Sequence, residues 1–498
     1  YNYSHKGTKF NSSYFYNQTQ LDFVQKSLRQ TFLDADNSFA KYDTLKNDDF
    51  RSSHSIGTRF EQEFDSSNRL IVKANLRIAG NNNQKLDNQL FTDYQLQPYN
   101  SLNLDNENDL STYKITSAAI YRHLFKKKGR AFAVSGGYNV NKTDGTEDNK
   151  SINKFINANT PTEQIRQLID NTKDIYEIKA GALYSEPLSK RFFLEFFYNF
   201  SELNNKSNRP VRADEDQERI DSLSNYYEQV TTYNRLGSVL RYSFNGLNAS
   251  VGFAAQQYKL KGQYAVDKGM PWDSVGVTKS YPNYTPNVNL NYEFKNHLRL
   301  EASYNNNITA PQFNDLQPIK NYSNPAYQVE GNPNLTPENS HTISTGLFYW
   351  NPASFSNIGA SVDYTITNHP IVYNQNSVFE EGKGMITIST PENMEQSTGI
   401  SSWLWSNIPI IKTKLAVDFN AGVNYNNSPT RINNVLDHIK SNGINFGANL
   451  NITPSAKLVF TAGGSGGFNK MRYNDNKDHD QDYYNYTLRS SIKWQFVT

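Results

Sequence analysis

The chain has 498 residues, with 50 Lys plus Arg against 48 Asp plus Glu for a net charge of +2, 37% hydrophobic residues and no cysteine. Near-neutral charge gives no nucleic-acid footprint, the missing cysteines exclude disulfide frameworks and thiolate metal sites, and no apolar run reaches the roughly 18 residues of a spanning helix. The 33 Tyr and 29 Phe are too many for a disordered polar chain and suit a wall of strands with one apolar face.

In chain order, 1–4 reads as the tail of one strand and 7–19 as the first full strand. Very short turns then recur near 65–68, 126–129, 186–190, 245–246, 295–297, 352–356, 407–410 and 453–455. Strands that alternate apolar and polar flank most of them. Leu70, Val72, Ala74, Leu76 and Ile78 share a face, with Lys73, Asn75 and Arg77 on the other. Around the 295–297 turn, Val288, Leu290, Tyr292 and Phe294 precede Leu298, Leu300, Ala302 and Tyr304, and Arg299 and Glu301 take the opposite face. Farther on, Val417 and Phe419 oppose Asp418, and Phe446 and Leu450 oppose Asn445 and Asn449. Successive side chains of a strand point to opposite faces, so each segment has one apolar and one wet wall.

Between the short turns lie long polar stretches at 20–52, 81–109, 141–171, 204–226, 262–283, 305–340, 367–395, 424–442 and 466–483, which read as loops; Gly463, Gly464, Gly466 and Gly467 read as part of a flexible one. Short turns on one side, long loops on the other and alternating strands between them are the pattern of a transmembrane β-barrel. The predicted fold is therefore all-β, a large antiparallel transmembrane β-barrel. Eight turns give sixteen strands, and 7–19 and 484–497 bring the count to about eighteen. A soluble β-sandwich also alternates, but its strands are shorter, whereas here the polar face carries Lys, Arg, Asp and Glu mid-strand as a wet lumen allows, and the loop lengths alternate strictly short and long. The expected lipid-facing residues are Leu70, Val72, Leu76, Leu298, Leu300, Val417, Phe419, Phe446 and Leu450, with Lys73, Arg77, Arg299, Glu301 and Asp418 in the lumen. Long loops are expected outside the cell and tight turns in the periplasm.

One stretch is more specific. It carries Pro311, Leu316 and Pro318, then Asn324-Pro325, then Gly331-Asn332-Pro333-Asn334-Leu335-Thr336-Pro337-Glu338, followed by a strand from His341. Pro and Gly there predict a rigid irregular loop. The string resembles the loop of TonB-dependent-receptor-like outer-membrane barrels of the Bacteroidota type, and the residues Phe10–Tyr16 and the run Ser27-Leu28-Arg29-Gln30-Thr31-Phe32 fit the same family. The resemblance implies a 22-strand barrel with an N-terminal plug, ligand import, and drive from an inner-membrane energising protein. On that pattern residues 1–498 form the barrel domain only, with the plug and the last strands expected to lie outside them.

No catalytic set emerges. The eight His never fall at paired ligand spacing, and Asp475, Asp478, Asp480 and Asp482 form an acidic loop without the glycine and closing glutamate of an EF-hand. No cofactor, metal or enzymatic activity is predicted. The leading function is an outer-membrane transporter of the TonB-dependent type. The alternative is an integral subunit or scaffold of a larger outer-membrane complex, whose partners are a surface lipoprotein or other barrel-associated subunits. An open porin and a barrel enzyme rank below both. Outer-membrane lipids are partners in every case.

Overall fold

In the computed structural model, described for every residue except 1, 32–38, 94, 157–160, 214–218, 222, 266–268, 272–275, 317–319, 322–326, 381–383, 476 and 496–498, alternation and tight turns generate a single 24-stranded sheet. It starts with β1 (Asn2–His5) and β2 (Thr8–Thr31), joined through Lys6 and Gly7 at φ of 41° and 82°. Next come β3 (Phe39–Glu63), β4 (Asn68–Thr92), β5 (Pro98–Leu124), β6 (Ala131–Phe155), β7 (Glu163–Pro187) and β8 (Phe192–Arg209). The two-residue β9 (Val211–Arg212) pairs with β7. β10 (Asn225–Phe244), β11 (Leu247–Ala265), β12 (Val277–Glu293) and β13 (Leu298–Thr309) continue the wall.

The wall is then interrupted by α1 (Phe313–Leu316), β14 (Lys320–Asn321) and β15 (Tyr327–Glu330). It resumes with β16 (Glu338–Asn351) and β17 (Ser356–Asn368). The hairpin β18 (Ile371–Glu380) and β19 (Gly384–Asn393) intervenes before β20 (Gln396–Ile411), β21 (Leu415–Ile432), β22 (Val435–Ser455), β23 (Leu458–Tyr473) and β24 (Gln481–Trp494). Wall strands pair antiparallel with their neighbours, β8 with β10, β13 with β16 and β17 with β20 closing over the interruptions. β24 bonds β23 along one edge, and among the described residues no ladder joins β24 to β1 or β2.

Residues directly opposite in an antiparallel pair share a face, so the register carries one face around the whole wall. Leu76 opposes Ile56 and Ile115, Leu300 opposes Tyr292 and Leu347, and Val417 opposes Ile408 and Leu450. The apolar face is continuous from β2 to β24. The other face joins Asn75 to Gly57 and Thr116, and Glu301 to Asn291 and Gly346.

Three expectations are corrected. The long polar stretches are mostly not loops: β2 to β7 run 24 to 27 residues, far beyond the roughly 9–11 that cross a bilayer, and so rise out of the membrane as paired hairpins. Outside lipid both faces are wet, so alternation is lost while the backbone ladder persists. The stretch 424–442 is the plainest case, its strands joined by Asn433 and Asn434 at φ of 50° and 65°, the positive values a two-residue hairpin turn requires. The turns expected at 407–410 and 453–455 lie later, after Ile411 and Ser455. Pro409 and Pro454 read as turn residues, but both sit at register irregularities near a strand end, where a missing N–H is tolerated. The glycines at 463–467 lie inside β23, paired on both sides.

Candidate functional site

The wet face of the wall supplies one half of the site and the loop after β13 the other. On β11 and β12, Ala254, Leu260, Val277, Tyr281 and Thr285 belong to the same face as Ser250 and Asn289, by the two-residue period and the register. That polar face is the concave one: Arg241, Asn289, Asn291, Glu301, Ser344 and Asp363 line a shared hollow on it. The loop folds onto this side. Leu316 and Leu335 are fully buried against Leu260 and Val277, with Tyr258 and Ile371 packed around them.

Polar contacts fix the loop at both ends. The Leu335 carbonyl accepts from the Tyr281 hydroxyl at 3.1 Å, and Asp315 accepts from the Tyr373 hydroxyl at 2.7 Å. Asn332 folds a turn by accepting from the Asn334 amide at 2.9 Å and donates its own side-chain amide to the Pro391 carbonyl at 3.1 Å. Asn393 grips the Thr336 backbone with both ends of its amide, at 2.7 and 2.9 Å. The Glu338 carboxylate accepts from the Ile371 amide at 2.6 Å. β15 adds a parallel ladder to β19, and β18 reaches β21 through Asn433, whose side chain accepts from the Ser377 amide at 2.8 Å. The loop and the β18–β19 hairpin thus form one cap that spans from β11 to β21 on the inner side of the wall. Burial pushes the Tyr373 hydroxyl up to about 12, and its bond to Asp315 adds to the shift.

Of the motif residues, Pro311, Leu316, Gly331, Asn332, Pro333, Leu335, Pro337 and Glu338 are in this cap, while Pro318, Asn324 and Pro325 lie outside the described residues. The nine residues expected toward lipid all lie on the continuous apolar face; Lys73, Arg77, Arg299, Glu301 and Asp418 all lie on the opposite one. Asp418 accepts from Asn407 at 2.5 Å and Asn451 at 2.6 Å. Arg299 is paired with Glu301.

A profile of the outer membrane protein beta-barrel family matches residues 123–497, well over half the chain. The chain belongs to the outer membrane protein β-barrel family. Its place is the outer membrane. The fold is shared with the copper transporter OprC, at 9% identity and a TM-score of 0.51 over 98% of this chain and 80% of that one. Two other similar structures are receptors. The ferric enterobactin receptor of Pseudomonas aeruginosa is 11% identical, with a TM-score of 0.48 over 99% of this chain and 73% of its own. The ferric preacinetobactin receptor of Acinetobacter baumannii is 8% identical, with a TM-score of 0.45 over 99% and 80%. No curated protein matches the chain.

Two features of this family member were missed in sequence. Trp403 and Trp405 face the lumen, lying over Gly422 and Gly359 so closely that a Cβ there would meet the rings at 2.3 and 2.5 Å. The only signal was the alternation of Trp403 and Trp405 with Leu404, which by itself does not say which face is wet. The second is the charge that gathers on β3 to β5, where neighbouring strands must be aligned before the cations can be seen to meet. On the short-turn side, the lysine-rich turn at 126–129 is tied down: Glu186 accepts from Lys127 at 2.6 Å and from Arg130 at 2.7 and 2.9 Å. The acidic 475–482 stretch is likewise engaged, Asp480 and Asp482 pairing with Arg472 at 3.5 and 2.6 Å.

Proposed function

We propose that the chain forms the wall of an outer-membrane uptake barrel in which the motif loop serves as an inward cap over the lumen. The observation that carries this reading is the seat of Leu316 and Leu335 on the lumen side of β11 and β12. A cap anchored there narrows the passage on the long-hairpin side and leaves a polar wall below it. The apolar face, with Leu70, Val72, Leu76, Leu298, Leu300, Val417, Phe419, Phe446 and Leu450, contacts lipid. The hairpin extensions face the medium and the short turns face the periplasm. Among the described residues the outer edge of β24, and that of β2 beyond its short ladder to β1, carry no partner strand, and we infer that further strands cover them, because open edges are not stable in lipid. Ligand passage would be driven by an inner-membrane energising protein acting through a plug.

Two measurements test this. A cysteine replacing the exposed Met270 should react with an impermeant label on intact cells, and one replacing the exposed Lys127 only after the outer membrane is breached. Nutrient accumulation that depends on the chain should stop when the inner-membrane proton gradient collapses. Accumulation that never depends on the chain would instead support the scaffold reading.

A further inference from the structure

The lumen face of β3, β4 and β5 places like charges directly opposite each other. Arg59 opposes Lys73, and Arg77 opposes Lys114. Residues so placed have Cβ atoms only about 5 Å apart, and like charges there repel. The two rows are four residues apart on β4, about 13 Å at the strand rise. Between them Gly57, Asn75 and Thr116 occupy one row, and the glycine leaves the floor open. Ser13, Ser55, Asn75, Arg77, Lys114 and Thr116 line a cavity of 330 Å³ there.

Local carboxylates offset Arg59 but not Lys73, Arg77 or Lys114. Glu61 is held by Arg59 at 3.0 Å, by Lys9 at 3.7 Å and by Arg69, and Glu177 on β7 is held by Lys179 at 3.0 Å and Asn139 at 2.8 Å. Lys73, Arg77 and Lys114 have no ion-pair partner among the described residues. A fold that sets uncompensated cations side by side, beside a hollow lined with hydroxyls and an amide, has the composition of an oxyanion receptor. Guanidinium and ammonium supply charge-assisted bonds, and Ser, Thr and Asn supply neutral donors.

We propose that this patch is a ligand subsite for a small multivalent oxyanion, one carrying two or more phosphate or carboxylate groups that bridge the Arg77–Lys114 row toward Lys73. The proposal rests on reading that face as the lumen of an uptake barrel, and names the class of ligand it takes. Binding to the purified full chain in detergent separates the two, because it requires no energised membrane and no orientation in a cell.

Isothermal titration with pyrophosphate and with citrate tests it, each against R77Q, K114Q and the double variant, with R299Q as a lumen cation outside the patch. Wild type should bind at least one probe, each single variant at least tenfold more weakly, and R299Q as wild type does. Preference for pyrophosphate or citrate then tells the phosphate class from the carboxylate class. No binding of either probe to wild type, or equal weakening in R299Q, would overturn the assignment. A melting midpoint for each variant equal to or above that of wild type shows that lost binding is not lost folding.

Discussion

On β3 to β5 the lumen face carries Arg59, Lys73, Arg77 and Lys114, long exposed cations placed opposite one another. On β20 to β24 the same face is built from asparagines set opposite glycines, Asn420 against Gly447, Asn424 against Gly443, Asn445 against Gly467 and Asn449 against Gly463. A Cβ at those glycines would meet an Asn oxygen at 2.1 to 2.7 Å, so the amides lie flat across the bare backbone opposite. One wall reaches into the lumen with charge, and the other folds its polarity back onto itself. Both satisfy a wet face, but only the first leaves cations, Lys73, Arg77 and Lys114, without an ion-pair partner among the described residues. The cap sits nearer the second, anchored on β11–β12 and tied to β21.

The largest effect is expected where that anchoring is removed. Leu335 is fully buried, and replacing it by Ala should cost about 2–5 kcal/mol through lost contacts and the cavity left behind. The cap should release while the wall stays folded, seen as faster hydrogen exchange over 327–337 and 371–393 with none over 68–80. Uniform loss of protection would show that cap and wall are one unit.

Both walls are lumen walls only if the apolar face meets lipid. Leu300→Arg should then cost about 2–4 kcal/mol at mid-bilayer depth, measured by unfolding in lipid vesicles, whereas Ser303→Arg on the other face of the same strand should cost little. Similar costs for the two would break the assignment of faces, since a one-residue slip inverts every side chain.

The amide and aromatic wall should resist added volume. A Val at Gly422 must displace the Trp403 ring, an overpacking that costs about 1–3 kcal/mol. At Gly57 on the charged wall a Cβ meets only Asn75 and Ser13 side-chain oxygens at 3.1 and 3.2 Å, and Gly57→Ala should fall well below that in the same unfolding assay.

The charged wall should gain from losing its repulsion. Lys114→Glu, which turns a like-charge pair into an opposite one, should stabilise by about 0.2–1 kcal/mol, and 0.5 M salt should shrink the difference. Destabilisation would mean that another group already compensates Lys114.

The smallest effect lies above the membrane, on the extension of the charged wall. Burial first, and then hydrogen bonding to Asp43, pushes the Asp87 carboxyl up to about 6 from 3.8. The folded hairpin therefore binds that proton more tightly than the unfolded chain does. The stabilisation is complete below 3.8 and is lost as pH rises through 6. Exchange over 85–89, corrected for intrinsic rates, should be slower at pH 5 than at pH 7.5, and Asp87→Asn should flatten the difference. Nearby, Arg166 of β7 grips Asp148 of β6 with bonds of 2.9 and 2.7 Å and holds its carboxyl below the usual range, so that pair should not change over the same window.

The sequence by itself determined the class of solvent and the two faces. Alternation at Leu70–Ile78 or Leu298–Tyr304 is a local property of a strand, and each such segment had to place its leucines on one side and its charges on the other. It also determined most of the tight turns, because Asn245 and Gly246 accept the positive φ that a two-residue turn requires. Only the tertiary structure decided what lay beyond the bilayer. The polar stretches lost their period because both faces were wet, and nothing local distinguishes an unpaired loop from a ladder continued in water. Pro409 and Pro454 misled for a related reason, since a proline ends a ladder or sits in a bulge according to what its partner strand does. The seat of Leu335 on Leu260 and the meeting of Arg77 with Lys114 depend on register between strands tens of residues apart, a quantity that no single segment carries.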